Sequence, residues 1–168
     1  MRRSILVALP VLGLAIILQT AVIERINLLN GAGDLILLVV AAWCLQERVH
    51  GAWIWGILAG LLVGFVSGIP WYIPLVGYLI IVGLARLLVH RVWQAPLLAM
   101  FTVTFLGTLV LLMLTFVERT LLEVPLPFNL SFLQIILPSV LLNLLLAIPI
   151  HSLIRDLAIR IYPAEVSA

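Results

Sequence analysis

Charged residues are scarce in this sequence, and lysine is missing altogether. Aspartate, glutamate and arginine make up 10% of the 168 residues, far below the roughly 25% of an average soluble domain. All nine basic residues are arginines spread along the chain, so no basic patch for a nucleic acid is expected. The single cysteine, Cys44, excludes an internal disulfide bond and a cysteine-based metal cluster.

Hydrophobic residues supply 65% of the chain, in long runs that charged residues do not interrupt. About 20 apolar residues in a helix span the hydrocarbon core of a bilayer. The sequence therefore predicts an all-α integral membrane protein, with one transmembrane domain over residues 1–168 built as a six-helix bundle. The first run lacks a small-residue cleavage site, so we expect a retained helix rather than a signal peptide. The expected helices cover residues 4–23, 34–47, 52–67, 70–90, 94–117 and 132–154, followed by an amphipathic tail over 155–163.

The second apolar run, 35–45, is too short to span a membrane by itself, because it rises only about 16 Å as a helix. We expect either that Asp34, Gln46 and Glu47 extend it at its ends or that neighbouring helices shield it. Asp34 suits the start of this helix. An aspartate there accepts hydrogen bonds from free backbone N–H groups and faces the positive end of the helix dipole.

Glycine recurs at every fourth position of the third helix, at Gly56, Gly60, Gly64 and Gly68. Membrane helices associate through close contact, and a face of glycines lets a second backbone approach. The stripe therefore predicts helix packing at this face. The partner is either another helix of this chain, which we prefer, or a helix of a different protein.

The arginines also predict the orientation of the chain. If the amino terminus is cytoplasmic, seven arginines fall on the cytoplasmic side, and only Arg25 and Arg119 fall outside. Because basic residues favour cytoplasmic loops, we expect both termini in the cytoplasm and the longest loop, 118–131, on the outer side.

A rival arrangement makes the runs 35–45 and 52–67 a re-entrant pair that enters from outside. It would bury Glu47, Arg48 and His50. A charge at the bilayer centre costs at least about 2.5 kcal/mol, so six full spans are the preferred interpretation.

No residue pattern predicts catalysis, a metal site or a cofactor, so we expect no enzyme activity. The three histidines fall beside arginines at expected helix ends, where polar anchors are common: His50, His90 and His151. No carboxylate falls in the middle of a span, which disfavours ion-coupled transport.

The other polar residues have structural interpretations. Several charged residues belong to the outer side, where we expect ion pairs: Asp34, Arg25, Glu118, Arg119 and Glu123. Gln19 and Asn143 are the polar residues deepest in the expected spans, and we interpret them as partners in hydrogen bonds between helices.

Several motifs together resemble the MreD family of rod shape-determining proteins. The first helix ends in Leu18-Gln19-Thr20, and Gly33-Asp34-Leu35 opens the second, where the family commonly has Pro-Asp-Leu. Residues 56–70 read G-x-L-x-G-L-L-V-G-F-V-S-G-I-P, and 77–83 read G-Y-L-I-I-V-G. The resemblance covers nearly the whole chain. One departure is Gly64, where family members often carry an aspartate.

The resemblance implies a non-enzymatic scaffold in the bacterial inner membrane that helps to organise peptidoglycan synthesis and cell shape. The implied partners are MreC, with its membrane helix and periplasmic domain, and through it the RodA polymerase, its transpeptidase partner and MreB filaments. We expect the partner helix at the Gly56 to Gly68 face or at a kinked sixth helix, and the partner's ectodomain at the 118–131 loop.

The alternative function is that of a substrate-binding S component of an energy-coupling-factor vitamin transporter. The six-helix arrangement is similar to that of the S components, which suggests an outward cavity. S components usually carry Ala-x-x-x-Ala in the first helix. Here Ala8 is followed four residues later by Leu12, and Ala15 by Gln19, so the pattern is missing. A membrane enzyme is the third and least favoured possibility.

Overall fold

The computed structural model describes residues 2–21, 31–47, 49, 51–89, 95–122 and 132–162. Within these ranges the chain forms α-helices and one π-helical turn, with no strand. The π-helical turn, Phe132–Ile136, leads directly into the last helix. The helices are α1 (Arg2–Ala21), α2 (Leu35–Cys44), α3 (Ala52–Ser67), α4 (Tyr72–Val89), α5 (Pro96–Leu121) and α6 (Leu137–Ile161).

Length and apolar composition divide the helices into two groups. Within the described ranges, four segments are long and apolar enough to cross a membrane: Ser4–Ala21, Tyr72–Val89, Pro96–Leu121 and Gln134–Ile161. The other two, α2 and α3, have 10 and 16 residues. This inventory supports an all-α, multi-pass membrane protein. Six full spans and cytoplasmic termini remain predictions, as does the preference over a re-entrant pair.

The short helix α2 occupies the middle of the bundle. All ten of its residues are buried, and it contacts each of the other five helices. A helix of this length rises about 15 Å, roughly half of a hydrocarbon core. Because α2 is apolar on every side, it is suited to complete enclosure by other helices. Shielding by neighbours is thus how the chain accommodates this short run.

An aromatic cluster closes the carboxyl end of α2. The rings of Trp43 and Trp55 stack with centroids 4.3 Å apart and planes inclined by 22°. Tyr162, directly after α6, meets Trp43 edge to face at 6.4 Å. The indole nitrogen of Trp55 donates a hydrogen bond to Ser4 Oγ at 3.2 Å. Residues from α1, α2, α3 and the end of α6 are therefore joined at one place.

Two helices extend beyond their predicted ends. α5 continues to Leu121 and so includes Glu118 and Arg119, which the sequence placed in the outer loop. α6 runs through Pro149 to Ile161 and takes in most of the predicted tail. The reason is continued packing, because Ile154 and Ala158 stay buried against the core at helical spacing.

Candidate functional site

Residues 31–34 approach the centre of the bundle ahead of α2 and pass close to the start of α6. A Cβ atom at Gly31 would lie 2.6 Å from the backbone nitrogen of Ser139 and 2.7 Å from Pro138 Cβ. Only glycine allows so close an approach of two backbones. The backbone N–H of Ala32 donates to Ser139 Oγ at 3.2 Å, which ties the segment to α6.

Side chains of α1 and α6 satisfy the backbone at the start of α2. Gln19 Nε2 donates to the carbonyl oxygen of Gly33, and its Oε1 accepts from the N–H of Leu35, both at 2.8 Å. Asn143 Oδ1 accepts from the N–H of Asp34 at 2.6 Å. Inside a membrane protein each backbone group needs such a partner, because lipid supplies none. These two amides therefore hold α2 in its central position.

Asp34 caps α2. Its Oδ1 accepts from the backbone N–H of Leu37 at 2.8 Å, with φ −115° and ψ 92° at the cap position. The hydroxyl of Tyr78 on α4 donates to the same carboxylate, at 3.3 Å from Oδ1 and 3.4 Å from Oδ2. Tyr78 is 1% exposed, so this hydroxyl has left water and needs the acceptor. The capping role predicted for Asp34 is present, and α4 adds a second contact.

The polar network continues from Asn143 into α5. Asn143 Nδ2 donates to Thr108 Oγ1 at 2.9 Å, and Thr108 Oγ1 donates to the carbonyl oxygen of Thr104 at 2.7 Å. Asn143 and Thr108 are buried. One polar centre thus links α1, α2, α4, α5 and α6. Its members are Gln19, Asp34, Tyr78, Thr108, Ser139 and Asn143.

Two cavities flank this polar centre and share Gln19 and Asp34 in their walls. The cavity toward α5 and α6 has a volume of about 270 Å³ and is also lined by Thr108, Ser139 and Asn143. The cavity toward α3 and α4 has a volume of about 300 Å³ and a more apolar lining. Amide and hydroxyl groups in such walls can donate hydrogen bonds to a small polar molecule. These groups and the carboxylate can also accept hydrogen bonds from it.

No metal centre forms within the described ranges, where no three His, Cys, Asp or Glu side chains approach closely enough to hold an ion. His151 was expected as an anchor at a helix end. It lies inside α6 instead, because that helix extends ten residues beyond it, and it is 4% exposed. His50 and His90 lie outside the described residues.

The glycine stripe of α3 meets α4 of the same chain. A Cβ atom at Gly56 would lie 2.7 Å from a methyl of Val82, and one at Gly60 would lie 2.5 Å from the Cα of Leu75. One at Gly64 would lie 2.8 Å from the Cα of Trp71. The two partners considered for this face were another helix of this chain and a helix of a different protein. In the structure the partner is a helix of this chain.

Gly68 differs from the other three glycines. It ends α3 with φ 67°, a left-handed conformation that glycine adopts without strain. A Cβ atom there would meet nothing within 4 Å. Gly68 therefore serves as a helix cap, not as part of the packed face, because the chain must turn before Trp71.

The charged residues assigned to the outer side do not gather into one site among the described residues. Glu118 and Arg119 are neighbours at the end of α5, with Oε2 and Nε 3.7 Å apart. Asp34 contacts Tyr78 and backbone rather than an arginine in the part of the chain that the structure describes. Arg25 and Glu123 lie outside the described residues.

Sequence reasoning singled out Gln19 and Asn143 but missed the groups that complete the centre: Tyr78, Thr108 and Ser139. Each is a hydroxyl inside an apolar run, a context that does not distinguish a buried hydroxyl from one that faces lipid. Comparison of the chain with protein-family models, curated proteins and solved structures gave no match.

Proposed function

We propose that this chain is a non-enzymatic scaffold of the bacterial cell-elongation machinery, located in the inner membrane and related to the MreD family. The motifs at 18–20, 33–35, 56–70 and 77–83 support the relationship. The observation that carries a scaffold role is the use of the polar centre. Gln19 and Asn143 bond to the backbone of residues 33–35, and Asn143 also bonds to Thr108. Contacts within the chain of this kind support a fixed bundle that offers its outer faces to other membrane helices.

The departure at Gly64 is consistent with the packing of this chain. Family members often carry an aspartate at this position. Here a Cβ atom would already lie 2.8 Å from Trp71 Cα and 3.1 Å from Trp71 Cβ. A carboxylate therefore has no room between α3 and α4, and any role of that aspartate is not proposed for this chain.

The proposed docking face for the membrane helix of MreC lies on α6, since α4 covers the glycine face of α3. Four apolar residues of α6 recur at helical spacing and point away from the bundle. They are Leu137, Leu141, Leu145 and Ile148, which are 45–70% exposed. The segment 118–131, whose first four residues belong to α5, remains the proposed contact for the partner's periplasmic domain. RodA, its transpeptidase partner and MreB would join through MreC.

Co-purification of MreC with the full chain from mild detergent tests this function. Leu145→Trp should reduce recovery of MreC at least about tenfold, because the indole interrupts the docking row. Leu153→Trp on the same helix is the matched control, since Leu153 is 65% exposed and Leu145 70%. Failure of the wild-type chain to retain MreC would contradict the function, whereas equal recovery with both variants would contradict only the docking face.

A second candidate function is the S component of an energy-coupling-factor transporter. The cavities of about 270 and 300 Å³ beside Asp34 favour it, because small-molecule sites are concave, mostly apolar and carry a few polar groups. Titration of the purified chain with vitamins by calorimetry, and a search for bound ATPase pairs, distinguish the two functions. Under the scaffold proposal neither vitamins nor ATPases bind.

A further inference from the structure

A groove of about 400 Å³ runs between α1 and α6, with α2 as its floor. Its walls are aliphatic over most of their length, with Leu14 and Leu18 on α1 and Leu153 and Leu157 on α6. Leu35 and Val39 of α2 form the floor and are each 5% exposed. Both α1 and α6 pack against α2, so the packing of three helices defines the groove.

The groove has one polar end, formed by Asp156 and Arg160. The Oδ1 of Asp156 lies 3.6 Å from the Nε of Arg155, so its charge is balanced by a neighbour outside the groove. Arg160 is exposed and has no ion pair with another described residue. Among the described residues, this otherwise apolar groove therefore ends at one positive charge that has no ion-pair partner.

The length of the groove and its one polar end fit a lipid. The lining residues of α6 extend from Ile150 to Arg160, a rise of about 15 Å. One leaflet of a hydrocarbon core about 30 Å thick has the same depth. An acyl chain can therefore lie along the aliphatic walls while its head group reaches Arg160.

We propose that this groove binds an anionic phospholipid, with one acyl chain between α1 and α6 and the phosphate at the guanidinium of Arg160. Arginine presents parallel N–H donors that match phosphate oxygens. Basic pockets between membrane helices on the cytoplasmic side are suited to anionic head groups, and Arg160 belongs to the side predicted to be cytoplasmic. This site is separate from the proposed docking row on α6.

Thermal unfolding and native mass spectrometry of the purified chain test the proposal. The probes are phosphatidylglycerol and phosphatidylcholine with identical acyl chains. The wild-type chain should retain phosphatidylglycerol and be stabilised by it, with an affinity about tenfold higher than for phosphatidylcholine, as expected for a charge-assisted contact. Equal binding of the two lipids would overturn the proposal.

Five variants separate the head group from the acyl chain, and two matched pairs among them, Arg160→Gln with Arg119→Gln and Leu153→Trp with Leu145→Trp, carry the comparison. Arg160→Gln should abolish the preference for phosphatidylglycerol and Arg160→Lys should keep part of it, whereas Arg119→Gln, which removes the same charge from α5, should leave it unchanged. Leu153→Trp should block both lipids by filling the groove, whereas Leu145→Trp should not. Retained preference in Arg160→Gln, or equal effects within either pair, would overturn the assignment. A monodisperse wild-type-like elution profile checks that each variant is folded.

Discussion

Asn143 and Asp34 are joined by a hydrogen bond of 2.6 Å although 109 residues separate them in sequence. The side-chain oxygen of Asn143 accepts from the backbone N–H of Asp34, while the side-chain nitrogen donates to Thr108. The same amide therefore positions the start of α2 against α6 and joins α6 to α5. Interhelical hydrogen bonds of this kind stabilise membrane proteins individually by about 0.6–2 kcal/mol.

Replacing Asn143 should destabilise the bundle. Asn143→Ala leaves the N–H of Asp34 without its acceptor and Thr108 Oγ1 without its donor, so we expect a loss of about 1–3 kcal/mol in the free energy of unfolding. Ser152→Ala, at an exposed polar position of the same helix, is the control and should change the free energy by less than about 0.5 kcal/mol. Reversible unfolding in SDS measures both. Equal effects would show that Asn143 does not anchor α2.

Gly60 should not tolerate even a methyl group. A Cβ atom there would lie 2.5 Å from Leu75 Cα and 3.0 Å from Leu75 N, so α3 and α4 would have to separate. We expect Gly60→Ala to cost about 1–3 kcal/mol. Gly13→Ala is the control, because nothing lies within 4 Å of a Cβ atom at Gly13 and alanine favours a helix over glycine. In detergent, the midpoint of thermal unfolding should be lower than that of the wild type for Gly60→Ala and higher for Gly13→Ala.

Asp34 should be replaceable by asparagine but not by alanine. Asparagine keeps an acceptor for the N–H of Leu37 and is as good an N-cap as aspartate, whereas alanine removes the acceptor at a cost of about 0.5–2 kcal/mol. The ranking wild type, Asp34→Asn, Asp34→Ala in SDS unfolding would support the capping role. A double-mutant cycle that combines an Asp34 substitution with Tyr78→Phe measures the contact between Asp34 and Tyr78 on α4. Zero coupling energy would contradict it.

Cys44 should be inert in the folded chain. Its side chain is 0% exposed and its Sγ lies 3.7 Å from the carbonyl oxygen of Ala52. We expect no reaction with a maleimide in mild detergent and complete reaction in SDS, measured by mass shift. Leu145→Cys, at a position that is 70% exposed, is the comparison and should add one reactive thiol in the folded state. Rapid labelling of Cys44 in mild detergent would contradict the central position of α2.

Several features of the fold follow from local properties of the chain. Apolar runs of sufficient length predict membrane helices, and the helix expected over 52–67 has those bounds in the structure. Asp34 was expected as a cap from its place before an apolar run. Local properties did not predict where α5 and α6 end. Their last turns contain polar residues that a helix tolerates, and packing of Ile154 and Ala158 extends α6.

The contents of the candidate site were only partly predictable. Gln19 and Asn143 were expected to bond between helices, and both do: Gln19 of α1 accepts from Leu35 of α2, and Asn143 of α6 donates to Thr108 of α5. Their further bonds to the backbone of residues 33 and 34 were not expected. Side-chain spacing along one helix does not reveal a hydrogen bond to a segment 16 or 109 residues away. Tyr78, Thr108 and Ser139 gave no local signal, because a single hydroxyl in an apolar run has the same sequence context whether it is buried or faces lipid.

The sequence by itself determined the class of the protein, the approximate positions of its helices and the capping residue of α2. Each depends on hydropathy, length and neighbouring residues along the chain. Only the tertiary structure decided that α2 lies at the centre, that α4 covers the glycine face and that α1 and α6 leave a groove between them. Lipid is as apolar as a helix surface, so hydrophobicity does not select which faces meet. Close packing and a partner for each buried backbone group make that selection.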